Sequence, residues 1–287
     1  MAAESVGMSQ KKKDRAATIG MIIFFSILAI LTVLPIYLLV LASFKPGNFL
    51  LQYGLNLNLD IPHLTLDNYK LLFTGKHDYW TWFGNSLILT VITVILTLAI
   101  SAFVAYGFAA YDFKGKNFFF IIVLLILSVP FEVIMLPLYK QISSWGMMDS
   151  YVSVVLPFLA HASTIFFFRQ YLLGLPKSLI EAGRIDGATE YGIATKIILP
   201  LTKPAFASMG ILQAMGSWNA ILWPLLVLKG AEKFTLPIGL NTLLTPYGNN
   251  YDVLIAGSMF GILPILVIFL IFQKYIIEGM TAGAVKG

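Results

Sequence analysis

The chain has 287 residues, of which 58% are hydrophobic and only 11% charged, with a mean hydropathy of +0.84. A soluble domain carries roughly twice that charged fraction, and here the apolar residues come in blocks, as in an integral membrane protein. The net charge of +5 does not indicate nucleic acid, because the basic residues form no long patch; the lack of cysteine excludes disulfides, thiol catalysis and Cys-held metals, and His63, His77 and His161 have no metal-ligand spacing.

Six blocks are long enough to cross a bilayer, at about 17–42, 84–110, 117–140, 151–173, 205–228 and 253–275. The first follows KKKDR, is too long for a signal-peptide core and lacks a small-residue cleavage site, so it reads as retained. Six spans place both termini on one side. With that side cytoplasmic, the inner segments hold roughly two-thirds of the 19 Lys and Arg, which favours an N-in, C-in topology. The longest outer segments, about 43–83 and 229–252, are rich in turn residues such as SFKPGNF, LDIPHLTLDN and TPYGNNYD. Pro130 and Pro137 are expected to kink the third span.

Between the fourth and fifth blocks the chain turns polar and small: EAGRIDGATEYGIATKIILP, residues 181–200. Pro176 and Ser178 favour a helix start, and Leu179, Ile180, Ala182 and Ile185 predict one apolar face. Gly187 offers a corner, and a second helical run over 188–198 leads to Pro200 and Pro204. The segment therefore reads as two short helices parallel to the membrane surface. Ala182, Gly183, Gly187 and Ala188 would let another protein approach the backbone, and Glu181, Arg184, Asp186 and Glu190 would supply charge to it. An ordinary solvated loop with a helical kink is the other reading.

The order of residues resembles the EAA loop of ABC importer permeases, E-A-A-x-x-x-G followed after about nine residues by I-x-L-P. Glu181, Ala182, Gly187, Ile197, Leu199 and Pro200 match it, and Asp186, Ala188 and Pro204 match the fuller carbohydrate-permease form. Gly183 replaces the second alanine, which should loosen the helix slightly. Ala194 stands in place of a usual Phe, which should make the docking contact shallower. SFKP, LTLDNYKLLF, Asn85-Ser86, SWNAILWPLLVL and GMTAGAVKG extend the similarity to the MalG-type permease subunit of carbohydrate importers. GLNLNLD, FFFRQYLLGLP, FTLPIGL and TPYGNNYD resemble Gram-positive permeases for arabinose-containing or plant-wall oligosaccharides.

The resemblance implies an all-α, polytopic type I ABC importer permease fold, a single domain over 1–287, in a bacterial cell membrane. It makes about 176–204 a coupling loop that docks on a cytoplasmic ATPase, with Glu181 meeting a basic residue and Gly187 permitting the turn. Thr281 to Gly287 would reach toward the nucleotide-binding subunits. The implied partners are a second homologous permease, an ABC ATPase dimer, an extracellular solute-binding protein and membrane lipid. The chain is expected to bind no cofactor, ATP and Mg being used by the ATPase. In keeping with this, no G-x-x-x-x-G-K-[ST] occurs; GLPKSLIEAG and FKGKNFF both fail it. A secondary transporter would show inverted repeats or paired intramembrane charges, and a membrane-embedded enzyme would show clustered His, Asp or Ser.

Polar residues inside spans face protein or water rather than lipid. Glu132 reads either as a hydrogen-bonding group on the translocation path or as a carboxylate capping a broken helix. His161 reads as an interhelical hydrogen-bonder or a solute contact. Gln213, Trp218 and Asn219, with Trp223, offer the amides and aromatic faces that suit a neutral sugar, or else packing and interface anchoring. Asn85 and Ser86 read as helix-end structure.

Overall fold

The computed structural model describes residues 2–74, 77–245 and 248–284, and nearly all of them are helical. The helices are α1 (Ala2–Ser43), α2 (Gly47–Tyr53), α3 (Asp67–Thr74), α4 (Tyr79–Ala110), α5 (Lys116–Leu127), α6 (Phe131–Ser144), α7 (Tyr151–Val155) and α8 (Ala162–Leu173). After them come α9 (Ser178–Ile185), α10 (Glu190–Gly192), α11 (Leu199–Leu201), α12 (Lys203–Trp218), α13 (Leu222–Val227), α14 (Leu236–Thr242) and α15 (Tyr251–Ala284). A two-residue antiparallel ladder, β1 (Leu244–Thr245) with β2 (Gly248–Asn249), sits at the turn-rich segment before α15. The end of the C-terminal tail, 285–287, lies outside the described residues.

Three helical stretches are long and apolar enough to cross a membrane: Ala17–Ser43, Tyr79–Ala110 and Tyr251–Lys274. The third block bends as its prolines predict, with 102° between α5 and α6, and the fourth bends by 42° across residues 158–162. A further bend of 78° across residues 201–203 lies just before the fifth block, where the 190–201 arm meets α12. Pro130 is the break in the first pair: it takes the extended conformation (φ −60°, ψ 139°) and caps α6, while Pro137 continues inside α6. At 12 and 14 residues, α5 and α6 are about 18 and 21 Å long. Neither alone reaches the ~30 Å hydrocarbon thickness.

Breaking a helix frees carbonyls that lipid cannot satisfy. In the fourth block they are satisfied by side chains from neighbouring helices. Thr97 Oγ1 donates to Phe158 O at 3.0 Å, and Trp223 Nε1 donates to Ser153 O at 2.9 Å.

The chain divides into two compact units, residues 1–77 with 243–260 and residues 78–242 with 261–287. In the first, the end of α1 is closed by α3. Asn68 is buried and its Nδ2 donates to the carbonyls of Ser43 and Lys45, both at 2.9 Å, satisfying groups that a helix end leaves orphaned. Lys45 is only 1% exposed. Its ammonium donates to Asn56 Oδ1 and Asn58 O at 2.9 Å and lies 5.3 Å from the Phe49 ring. Lys45 is thus a buried strut whose side-chain nitrogen is held by two oxygens and an aromatic face.

In the second unit α4 packs along α8 and α12. Small residues make that approach close, with Ala102, Ala105 and Ala205 buried beside Phe168 and Met209. At the Asn85 end of α4, loop 228–236 is strapped down by polar bonds. Asn85 Nδ2 donates to Glu232 O (2.8 Å) and Phe234 O (3.0 Å), Tyr151 OH donates to Asn85 Oδ1 (2.7 Å), and Ser86 Oγ accepts from Leu236 N (2.8 Å). Asn85 and Ser86 therefore anchor a loop that arrives from far along the chain.

Asp149 completes the strap from a left-handed backbone position (φ 55°). One carboxylate oxygen accepts the N–H groups of Lys229 (2.9 Å) and Gly230 (3.1 Å), and the other accepts the Lys233 ammonium (2.7 Å). These bonds to Lys233 and the two amides hold the Asp149 carboxyl well below the usual carboxylate range. A depressed folded-state value gives stabilisation that is complete above the unfolded pKa of about 3.9 and is lost only as pH falls through the lower value. Hydrogen–deuterium exchange should therefore find amides 229 and 230 protected throughout pH 5–8. Asp149→Ala should raise their exchange measurably, because both amides then lose their acceptor. Unchanged exchange would mean that the strap is held by Asn85 and Ser86 alone.

Candidate coupling loop and polar cavity

Between α8 and α12 the chain forms the expected two arms around a glycine corner. Gly187 has φ +75°, a conformation that glycine adopts without steric cost, and Gly187 N donates to Arg184 O and Ala188 N to Gly183 O, closing α9. The second arm begins at Thr189, whose Oγ1 accepts from Gly192 N at 3.1 Å. It is not the regular helix expected: Ile193–Ile198 is a π-helical turn between α10 and α11. Such turns are rare and concentrate at functional positions.

The faces of these arms differ from the sequence reading. Gly183 is buried, and a Cβ placed on it would lie 3.0 Å from both Ile193 Cγ1 and Ile197 Cδ1. Its smallness lets the two arms close on each other, so it neither faces a partner nor loosens the loop. Ala194 is buried with Tyr106, Ile193 and Ile198 in the core beneath the loop. The aromatic missing there is missing from the interior, not from a docking surface. Leu179 and Ile180 pack inward onto the same core. Ile185, expected on their face, points away and is 86% exposed, and Tyr191 is 71% exposed. Glu181, Ala182, Asp186, Gly187 and Ala188 are exposed too.

Arg184, expected to offer charge to a partner, is engaged within the loop. Its Nε donates to Glu190 Oε1 at 2.6 Å, and Tyr111 OH donates to Glu190 Oε2 at 2.7 Å. The bond from Arg184 holds the Glu190 carboxyl below its ordinary range and raises the guanidinium. Desolvation and the adjacent Glu190 push the Tyr111 phenol up to about 12. Tyr111 caps the end of α4, so this cluster ties the coupling loop to that helix.

The second feature is a cavity of about 200 Å3 among α4, α7, the break before α8, α12 and α13, whose polar lining is Ser86, Thr93, His161, Gln213, Ser217 and Thr235. His161 and Gln213, far apart in sequence, meet here. His161 stands at the break before α8 with Nδ1 2.8 Å from Ser163 Oγ, and Gln213 Nε2 donates to Thr164 Oγ1 at 2.8 Å. The other three predicted pathway residues do not line it. Trp218 is buried by packing, its Nε1 donating to Gly261 O at 3.1 Å and its ring edge-to-face with Phe83 at 5.4 Å. Asn219 closes α12 by donating to Met215 O, and Glu132 is an exposed carboxylate in the first turn of α6, where the helix dipole favours it.

The sequence reading missed Thr93, Ser217 and Thr235. Thr90, Thr93 and Thr97 recur at helical spacing in an apolar run and are all buried, a stripe that was there to be found. Thr235 carried no local signal, and its buried hydroxyl has no hydrogen-bond partner among the described residues. No three His, Asp or Glu side chains among the described residues gather as a metal site would need.

Residues 100–281 match the family described as the binding-protein-dependent transport system inner membrane component, and the chain belongs to that family of multi-pass membrane permeases. It is 53% identical to AraQ of Bacillus subtilis (strain 168), an arabinooligosaccharides transport system permease protein, over 94% of this chain and 96% of that one. AraQ of Halalkalibacterium halodurans is 52% identical over 92% and 94%, and the multiple sugar-binding transport system permease protein MsmG of Streptococcus mutans is 35% identical over 96% and 100%. The fold is that of a type I ABC importer permease. A chain from a bacterial ABC transporter involved in importing the acidic polysaccharide alginate superposes with a TM-score of 0.80 at 24% identity, covering 92% of this chain and 97% of that one.

Proposed function

We propose that this chain is one of two permease subunits in an ATP-driven importer of neutral oligosaccharides, arabinose-containing ones foremost. In this reading it crosses a bacterial plasma membrane six times with both termini inside, the third and fourth crossings being bent pairs. The cavity lining carries the solute class: hydroxyls, an amide and an imidazole, with no Asp, Glu, Lys or Arg among them. Such a surface matches the donors and acceptors of sugar hydroxyls and offers no counter-charge to an acidic solute. The cavity is smaller than the ~300–1,000 Å3 of a complete small-molecule site, which supports a shared pathway with a second permease.

Energy enters at the coupling loop. Ile185, Gly187, Glu181 and Asp186 are exposed on the loop and suit a groove on a cytoplasmic ATPase dimer that uses ATP and Mg. An external solute-binding protein delivers the sugar.

The test is uptake of arabinotriose into proteoliposomes that hold both permeases and the ATPase, with the binding protein outside and ATP inside. Wild type should accumulate the sugar only with ATP. Gln213→Leu should lower uptake about fivefold or more, one unpaired buried hydroxyl costing ~1–3 kcal/mol. Uptake without ATP, or competition by an acidic sugar but not a neutral one, would replace the reading.

A further inference from the structure

A second polar depression lies wholly in the first unit. It is a groove of about 570 Å3 between α2 and the segment that runs to the 3-10 turn Ile61–His63. One wall is aromatic: the Phe49 ring is 4.7 Å from that of Tyr53 and 5.5 Å from that of His63. The rest is amide, from Asn48, Gln52, Asn56 and Asn58.

Its ionisable groups are hydrogen-bonded within the unit. Asp60 Oδ2 lies 2.9 Å from His63 Nδ1, and Lys45 is buried beneath, bonded to Asn56 and Asn58 O. Those bonds fix the segment opposite α2, so the groove is held open by a strut rather than by its own lining. Asn48 Oδ1 accepts from Phe49 N, which leaves its NH2 free to donate, and neither Gln52 nor Asn58 has a side-chain hydrogen bond among the described residues. Tyr53 is 58% exposed.

We propose that this groove is an oligosaccharide subsite of the permease. A sugar ring presents C–H faces to aromatic rings and a circumference of hydroxyls to groups that both donate and accept, which primary amides do. No Lys or Arg lines the groove, so an anionic ligand would find no counter-charge in its walls. The groove lies in the segment that the proposed topology places outside, where a sugar arriving from that side would meet it. The inference rests on the sugar reading above.

Saturation-transfer NMR with arabinotriose on the complete transporter in nanodiscs, without the binding protein, tests it. Transfer to the sugar should fall about fivefold or more in Tyr53→Ala with Gln52→Ala and return in Tyr53→Phe, on the scale of one lost aromatic contact. Both changed residues are exposed, so the fold is retained. Undiminished transfer in the double variant overturns the subsite. So does loss of affinity for the binding protein with sugar transfer unchanged, since the groove would then be a protein contact. If wild type shows no ATP-driven arabinotriose uptake, it is the sugar reading that has failed.

Discussion

Ile185→Ala should weaken retention of the ATPase by the purified permease about five- to thirtyfold without lowering permease stability. An isoleucine that is 86% exposed has little packing to lose in the isolated chain. Buried in a partner's groove, an aliphatic side chain contributes ~1.5–3 kcal/mol, most of which alanine forfeits. The invited comparison is Glu181→Ala, aimed at the acid that heads the EAA pattern. An exposed ion pair is typically worth ~0.2–1 kcal/mol, so that change should cost no more than about fivefold. Titrating labelled ATPase onto reconstituted permease measures both. Equal affinities for wild type and Ile185→Ala would move the docking face elsewhere, and a larger loss for Glu181→Ala would make the contact electrostatic.

Gly239→Ala should be the more damaging change to the fold. The backbone of α14 lies directly on the indole of Trp82, and a Cβ at Gly239 would overlap atoms of that ring. Trp82 is itself buried in α4 and cannot swing into solvent. Overpacking of this kind costs ~1–3 kcal/mol or more, which in a chain of this size is a fall of about 5–10 °C in melting temperature. Trp82→Leu in the same chain should recover much of the loss, because the two changes act on one contact and cannot be additive. The buried Trp82 Nε1 has no partner among the described residues, so removing the indole sacrifices no hydrogen bond. A melting temperature in Gly239→Ala equal to wild type would mean that α14 lifts from α4 with little cost.

What local residue order controls was readable without the structure. The apolar blocks, the polar interval after α8 and the corner at Gly187 depend on composition, prolines and one positive φ, and all three lie where they were expected. What depends on a neighbour distant in the chain was not. Trp218 is aromatic near amides in sequence, but Gly261 and Phe83 claim it. Gly183 looked like a weakened alanine until Ile193 and Ile197 were seen against it. Pro130 and Pro137 are chemically alike, yet one ends a helix and the other runs inside one. At the cavity, His161 and Gln213 were legible as polar groups in apolar runs, whereas Thr235 became visible only when loop 228–236 was folded onto α4.

The bond from Tyr111 to Glu190 matters for how motion is carried. α4 has 32 residues and no internal break, which makes it a rod about 48 Å long. One end is pinned to the coupling loop through Tyr111, and further along the same rod Thr93 and Ser86 line the cavity. The neighbouring α5–α6, α7–α8 and α10–α12 segments are jointed and can absorb a displacement at their bends. The proposed machine thus combines one stiff connecting rod with jointed linkages, and α4 offers an unbroken route from the Glu190 contact to the cavity wall.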